Sequence, residues 1–330
     1  MMNFRLTFPV APLSPSLRYS DRFLLLGSCF AEEIGDLLQQ HKFQVLQNPH
    51  GILYNPLSIT QALQSYLDGK VYTADDLFQQ DDLWHSWAHH SRFSAATPEA
   101  ALDKINVAQQ AAIHRIENAD WLIITLGTAF GYQLRESGRL VANCHKAPAH
   151  TFNKKLLSVE EIITSLDNVM HRLFFRNRQV RILFTVSPVR HVRDGVVENN
   201  LSKAILLQAV HHMVHKFERL HYFPAYELVI DDLRDYRFYK EDLVHPNEMA
   251  VQYVWEQFCK YALAPAELAL LHAVQELRQA AAHRPFNPAT PQHQQFLARY
   301  AQKTGALQAA HPFLDLSSEA AYFNTKEHRK

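Results

Sequence analysis

Phe23-Leu24-Leu25-Leu26-Gly27-Ser28-Cys29-Phe30-Ala31 joins a run of apolar, strand-forming residues to a glycine and then to a segment, Phe30 to Gln40, with apolar residues at helical spacing. A buried strand, a bend at Gly27 and a helix form the opening unit of an α/β fold. Ser28 stands on the bend, where a hydroxyl projects above the sheet and beside the amides that open the helix. It suits two roles: N-cap of that helix, or a nucleophile whose oxyanion is stabilised by nearby amides. On this stretch alone, capping is the simpler reading.

Working outward, the apolar runs 43–46, 121–126, 180–186 and 226–230 read as further strands. Helical periodicity covers 57–67, 98–118, 158–175, 198–220 and 246–261, and Ser158 with Glu161 has capping-box spacing. Strands alternating with helices predict a three-layer α/β/α sandwich with a mostly parallel sheet. Residues 1–20, with Pro9, Pro12 and Pro15, read as an extended arm over the sheet edge, and 70–97 reads as irregular. Beyond Pro265 a helix runs to about His283, and a short one follows Pro291. The expected division is a main domain over 1–262 and a helical C-terminal extension over 263–330.

The 330 residues carry 33 basic and 33 acidic side chains, formal net charge zero, and are 47% apolar. That supports a sizeable core and argues against a nucleic-acid binder, which would show a basic stripe. No apolar run approaches the roughly 20 residues that cross a bilayer, and the N-terminus lacks the apolar centre of a signal peptide. Cys29, Cys144 and Cys259 are widely spaced, which suggests a reducing compartment. The expectation is a cytoplasmic protein without nucleic-acid or membrane partners; the oligomeric state is left open. Gly27 to Gly35 lacks the dinucleotide fingerprint.

A nucleophilic serine needs a base and a group to orient that base. Asp242 and His245, three apart before a helix, can pair locally, with Leu243 and Val244 packing inward to fix the loop. Cys29 is an alternative nucleophile, although a buried structural thiol fits it better. His85 and His89 have metal-ligand spacing if helical, but Trp84, Trp87 and Phe93 suit a packed aromatic loop. His90-Ser91-Arg92 is either a loop anchor or a substrate clamp, with Arg92 offering a fork to a carboxylate or phosphate. Ser187, Arg190, His191 and Arg193, like His145 and Lys146, form donor-rich loops beyond strand ends; Asp194 can pair with an arginine there. In the 198–220 helix, Leu201, Ile205 and Val210 read as core, and His211, His212 and His215 as exposed.

Gly27-Ser28-Cys29-Phe30-Ala31 spells the signature of the GSCFA family, which resembles a branch of the SGNH (GDSL-like) hydrolases related to esterases of acylated glycans. The resemblance spans roughly 20–260. It extends through Asn48-Pro49-His50-Gly51, His89-His90-Ser91-Arg92-Phe93, Leu126-Gly127-Thr128-Ala129, Ala142-Asn143-Cys144-His145-Lys146, Ser187-Pro188-Val189-Arg190-His191 and Asp242-Leu243-Val244-His245-Pro246. It implies Ser28 as nucleophile, His245 as general base and Asp242 as its partner. Hydrolysis of a small O-acyl ester, with a small molecule or glycan as substrate, would pass through an acyl-serine without metal or cofactor. The oxyanion would be held by the Ser28 and Gly51 amides. SGNH enzymes add an asparagine after the middle strand; here Gly127-Thr128-Ala129 lacks it, and Thr128 or Asn143 is the replacement to consider. His90, Arg92, Ser187 and His191 are the further substrate-contact candidates. An O-acyltransferase and a catalytically silent binding protein are the alternatives.

Overall fold

A computed structural model describes residues 6–324. Its centre is a five-stranded sheet in the order β10-β9-β5-β1-β2, built from β1 (Arg22–Gly27), β2 (Gln44–Gln47), β5 (Trp121–Leu126), β9 (Arg181–Val186) and β10 (Leu220–Tyr222). Every pairing in it is parallel, with Leu24 opposite Leu46 and Leu122, and Leu122 opposite Ile182. All five strands therefore end on one edge, where α/β folds form their sites. Strand alternation sends Phe23 and Leu25 to one face and Leu24 and Leu26 to the other.

Helices cover both faces. Helices α2 (Pro56–Leu67), α3 (Pro98–Asn118), α4 (Val159–Arg176) and α5 (Val196–Lys216) pack on the Leu24 face; α1 (Cys29–Gln40) and α7 (Glu248–Ala262) pack on the Phe23 face. The capping box at Ser158 and Glu161 is formed in both directions. Helices α8 (Pro265–Ala282), α9 (Pro291–Ala310) and α10 (Ser317–Asn324) join the second layer, and Leu271, Leu297 and Phe323 share one apolar core with Trp255 and Phe258 of α7. The segment after Pro291 is thus a 20-residue helix followed by another, rather than one short helix. The N-terminal arm is extended; Leu13 and Leu17 donate to the carbonyls of Tyr261 and Ala262 at the end of α7.

Two expectations need correction, and a further small sheet lies where the apolar pattern did not announce one. Residues 226–230 are not a strand: Ala225–Glu227 is a helical turn, α6, continuing into π-helix at Leu228–Leu233, while β10 precedes Pro224. Ala225, Leu228 and Val229 are the buried positions, a helical spacing that a short apolar run conceals. The 70–97 segment holds a hairpin, β3 (Leu77–Gln80) and β4 (Leu83–Ser86), turned through Asp81 and Asp82 at φ +50° and +62°. Two aspartates supply the left-handed pair usually marked by Asn-Gly. The polar stretch after β5 folds into a small antiparallel sheet of β6 (Phe130–Leu134), β7 (Leu140–Val141) and β8 (Phe152–Leu156). No helix among the described residues is long and apolar enough to cross a membrane.

Candidate active site

Gly27 ends β1 at φ +143°, and a Cβ there would sit 2.2 Å from the Thr125 carbonyl oxygen. Only glycine lets the two backbones approach so closely. The loop after β2 grips the same residue: Gly27 N–H donates to Asn48 Oδ1 (2.9 Å), and Leu53 N–H donates to the Gly27 carbonyl (2.9 Å). Ser28 follows at the N-cap of α1, yet its side chain makes no capping bond. Its Oγ is buried, with the residue 0% exposed, and has no hydrogen-bond partner among the described residues. A buried hydroxyl without a partner is costly, and here it lies at the edge where every strand ends.

The second half of the constellation forms as its spacing suggests. His245 Nδ1 lies 2.6 Å from Asp242 Oδ2, and Asp242 Oδ1 accepts the Val244 and His245 amides at 3.0 Å each. Those amides, His245 first, hold the Asp242 carboxyl down to about 2. The ionised aspartate fixes the ring with Nδ1 toward it, which leaves Nε2 on the far side of the ring. Leu243 does not pack inward: it is 54% exposed at φ +60°, because the tight turn that aims Asp242 at His245 places it in the left-handed region. The loop touches both neighbouring elements. Lys240 Nζ lies 3.6 Å from Glu33 on α1, and Arg190 N–H, beyond β9, donates to the Val244 carbonyl (3.3 Å). His245 thus stands at the same end of the sheet as Ser28.

The amides expected to hold an oxyanion are engaged elsewhere. Ser28 N–H donates to Thr125 O (3.1 Å), extending the ladder between β1 and β5, and Gly51 N–H closes a turn onto Asn48 O (2.7 Å). Gly51, at φ +76°, is required because His90 Cβ would lie 2.2 Å from any side chain it carried. The Thr128 hydroxyl is shared with Ser202 (3.1 Å), and Asn143 Oδ1 accepts the His145 amide (2.9 Å). Gly127 and Thr128 donate their amides to Tyr54 O. Arg92 pairs with Glu32 and His90 Nδ1 accepts the Arg92 amide, which is the loop-anchor arrangement.

His191 differs from these. It reaches the Tyr54 ring edge-on, 5.2 Å between centroids, and its Nε2 is buried beside Gly127 with no hydrogen-bond partner among the described residues. Burial, reinforced by the neighbouring Lys203 and His245 charges, lowers its pKa to about 4, so the ring is neutral at pH 7.

Lys203 is the residue sequence reasoning missed. It is 1% exposed on α5, and its Nζ donates to the carbonyls of Gly127 (2.6 Å) and Ser187 (2.7 Å), tying the ends of β5 and β9 together. Burial lowers its pKa to about 7. The signal was present in register: the buried stripe of α5 is Asn199, Ser202, Lys203, Leu206, Ala209, Val210 and Met213, whereas Leu201, expected in the core, is 52% exposed. Ser187 itself is fully buried, with Oγ accepting the Val189 amide.

Two other readings resolve locally. Burial, then Glu33, raises the Cys29 thiol, which keeps it protonated and unsuited to attack. His85 lies on β4, not a helix, with both ring nitrogens bonded, to Ser94 Oγ and Gln80 O. His89 stacks on His50 at 4.1 Å. Among the described residues no group of three or more His, Cys, Asp or Glu side chains is placed to hold a metal.

Around the strand ends, a cavity of about 680 Å³ opens between the small antiparallel sheet and the loops carrying Tyr54, Thr128 and His191.

Solved structures similar to the chain include a Clostridium thermocellum family 3 carbohydrate esterase, 12% identical, with TM-score 0.32 over 77% of this chain and 98% of that one. Another is an acetyl xylan esterase, Est2A, from the rumen bacterium Butyrivibrio proteoclasticus, 9% identical, with TM-score 0.39 over 76% of this chain and 65% of that one. No curated protein matches the sequence. The profile of the GSCFA family matches residues 22–258, and that of the GSCFA domain protein C-terminal domain matches 274–329. With the first match alone spanning the sheet, the serine turn and the Asp242–His245 loop, the chain belongs to the GSCFA family.

Proposed function

We propose that the protein is a serine hydrolase cleaving a small O-acyl ester, on a small molecule or a glycan, through an acyl-Ser28 intermediate. The observation that carries this is the Asp242–His245 pair, 2.6 Å apart, held by a loop braced on both α1 and the β9 turn at the sheet edge of the buried, unpartnered Ser28 hydroxyl. In this reading His245 Nε2 takes the Ser28 proton as Oγ attacks the ester carbonyl, and returns it to the leaving alcohol. Water, activated by the same nitrogen, then releases the acid. With the Ser28 and Gly51 amides engaged, the oxyanion donor we assign is His191 Nε2–H, a neutral donor already desolvated.

A silent binding protein is the second reading, favoured by those engaged amides and by Ala129 in place of an asparagine. An O-acyltransferase is the third, and a sugar acceptor that outcompetes water would mark it. Hydrolysis of p-nitrophenyl acetate and of acetylated xylan by wild type and Ser28→Ala separates enzyme from binder. Loss of activity in Ser28→Ala supports the serine mechanism; equal rates would remove it.

A further inference from the structure

The geometry points to an anion subsite in the cavity beside His191: it takes the part of a ligand that carries a carboxylate or phosphate. This deepens the hydrolase reading and rests on it for one point, that the anion belongs to the non-acyl portion of the ester. Three cations line the cavity, Lys146, Lys154 and Arg193, against one carboxylate, Asp194. Lys154 pairs with Asp194 and also lies over the Phe130 ring, 4.2 Å from its centroid. Those two charges neutralise each other. Lys146 and Arg193 have no acidic partner within ion-pair distance among the described residues, so two positive charges face an open cavity unopposed.

The placement of Lys146 is built rather than incidental. His145 and Lys146 sit consecutively in the left-handed region, at φ +47° and +61°. Two adjacent residues with side chains hold that conformation when their surroundings over-determine it. His145 supplies the tethers. Its amide donates to Asn143 Oδ1, its Nε2 lies 2.9 Å from Ser86 O, and its carbonyl accepts Gln80 Nε2 (3.1 Å). Ala147 N–H closes the turn onto Cys144 O (2.8 Å). The next residue, Lys146, is thereby presented at the cavity from a fixed turn. Arg193 comes from the β9 loop two residues after His191, and both line the same cavity as Lys146. Guanidinium and ammonium together suit a planar or tetrahedral oxyanion.

Binding of three probes tests this without requiring catalysis: 4-hydroxybenzoate, phenyl phosphate and the uncharged 4-hydroxybenzamide, titrated calorimetrically into wild type and into Ser28→Ala at low salt. Both proteins are expected to bind at least one anionic probe roughly tenfold more tightly than the amide, and added salt should shrink the gap. Whether the carboxylate or the phosphate shows it names the anion. Lys146→Gln/Arg193→Gln should abolish the preference, and Arg193→Gln alone should reduce it about threefold, which keeps the test available if the double variant misfolds. Equal affinity for charged and neutral probes in wild type, or a preference that survives the double substitution, would overturn the subsite. Comparing hydrolysis of 4-acetoxybenzoate with that of 4-acetoxybenzamide then addresses the hydrolase reading. Anion binding with no hydrolysis of either ester sinks that reading and leaves the subsite standing.

Discussion

Replacing Lys203 by methionine should reveal a buried charge through its pH signature. Two opposing terms nearly cancel at pH 7. Methionine leaves the Gly127 and Ser187 carbonyls without their ammonium donor, at roughly 1–3 kcal/mol for each buried acceptor. It also removes a cation whose pKa is lowered from 10.5 to about 7, worth about 4 kcal/mol at that pH. A measurement at one pH therefore says little, and the difference between two pH values is diagnostic. Because the folded value is the lower one, unfolding takes up a proton between about 7 and 10.5, and stability climbs with pH across that window. From pH 7 to pH 9 the gain is about 2 kcal/mol for wild type and absent from Lys203→Met, all other groups being common to both. Urea unfolding of both proteins at the two pH values reads it directly. Parallel stability changes in the two proteins would refute the argument, since they would place the Lys203 pKa near its ordinary value in the fold.

Other substitutions test separate links. Gly27→Ala, which drives a Cβ toward the Thr125 carbonyl at 2.2 Å in a backbone conformation alanine avoids, should cost roughly 3 kcal/mol or more by denaturant unfolding. Leu243→Gly relieves an exposed leucine at φ +60° and should gain about 0.5–1 kcal/mol, seen as a raised melting temperature. Asp242→Asn should lower kcat on the order of 10⁴-fold with KM little changed, by losing the carboxylate that fixes the His245 ring. Since the Asp242 carboxyl is held down to about 2, it is ionised across the neutral range, and a fall in kcat between pH 8 and pH 5 in wild type would have to come from another group.

The parts of this architecture that sequence displays are those with a repeating or local cause. Mostly apolar runs such as Trp121–Leu126 announce central strands, and the Pro98–Asn118 helix is legible from its proline start and the spacing of Ile105, Ala112 and Ile116. The Asp242–His245 pair was legible because three residues of chain suffice to make it. The small sheets were not, because β7 has two residues and the β3–β4 turn relies on aspartates in left-handed geometry rather than glycine. Nor could sequence tell which amides were free: Ser28 N–H is bonded to Thr125 and Gly51 N–H to Asn48 by tertiary approach. Lys203 escaped notice because a charged residue in an apolar stripe looks like a register error until the carbonyls it meets are known.

Helix α1 begins with the serine turn and ends among the C-terminal helices. Gln40 accepts a hydrogen bond from Arg278, and Lys42, just past the helix, reaches Glu319 at 2.9 Å and Ser318 at 3.2 Å. The rod that carries the proposed nucleophile at one tip is thus anchored at its other tip by a segment holding none of the proposed chemistry. Those last helices act as a footing: through Arg278, Ser318 and Glu319 they hold the far end of α1, and so share in setting where the Ser28 hydroxyl stands.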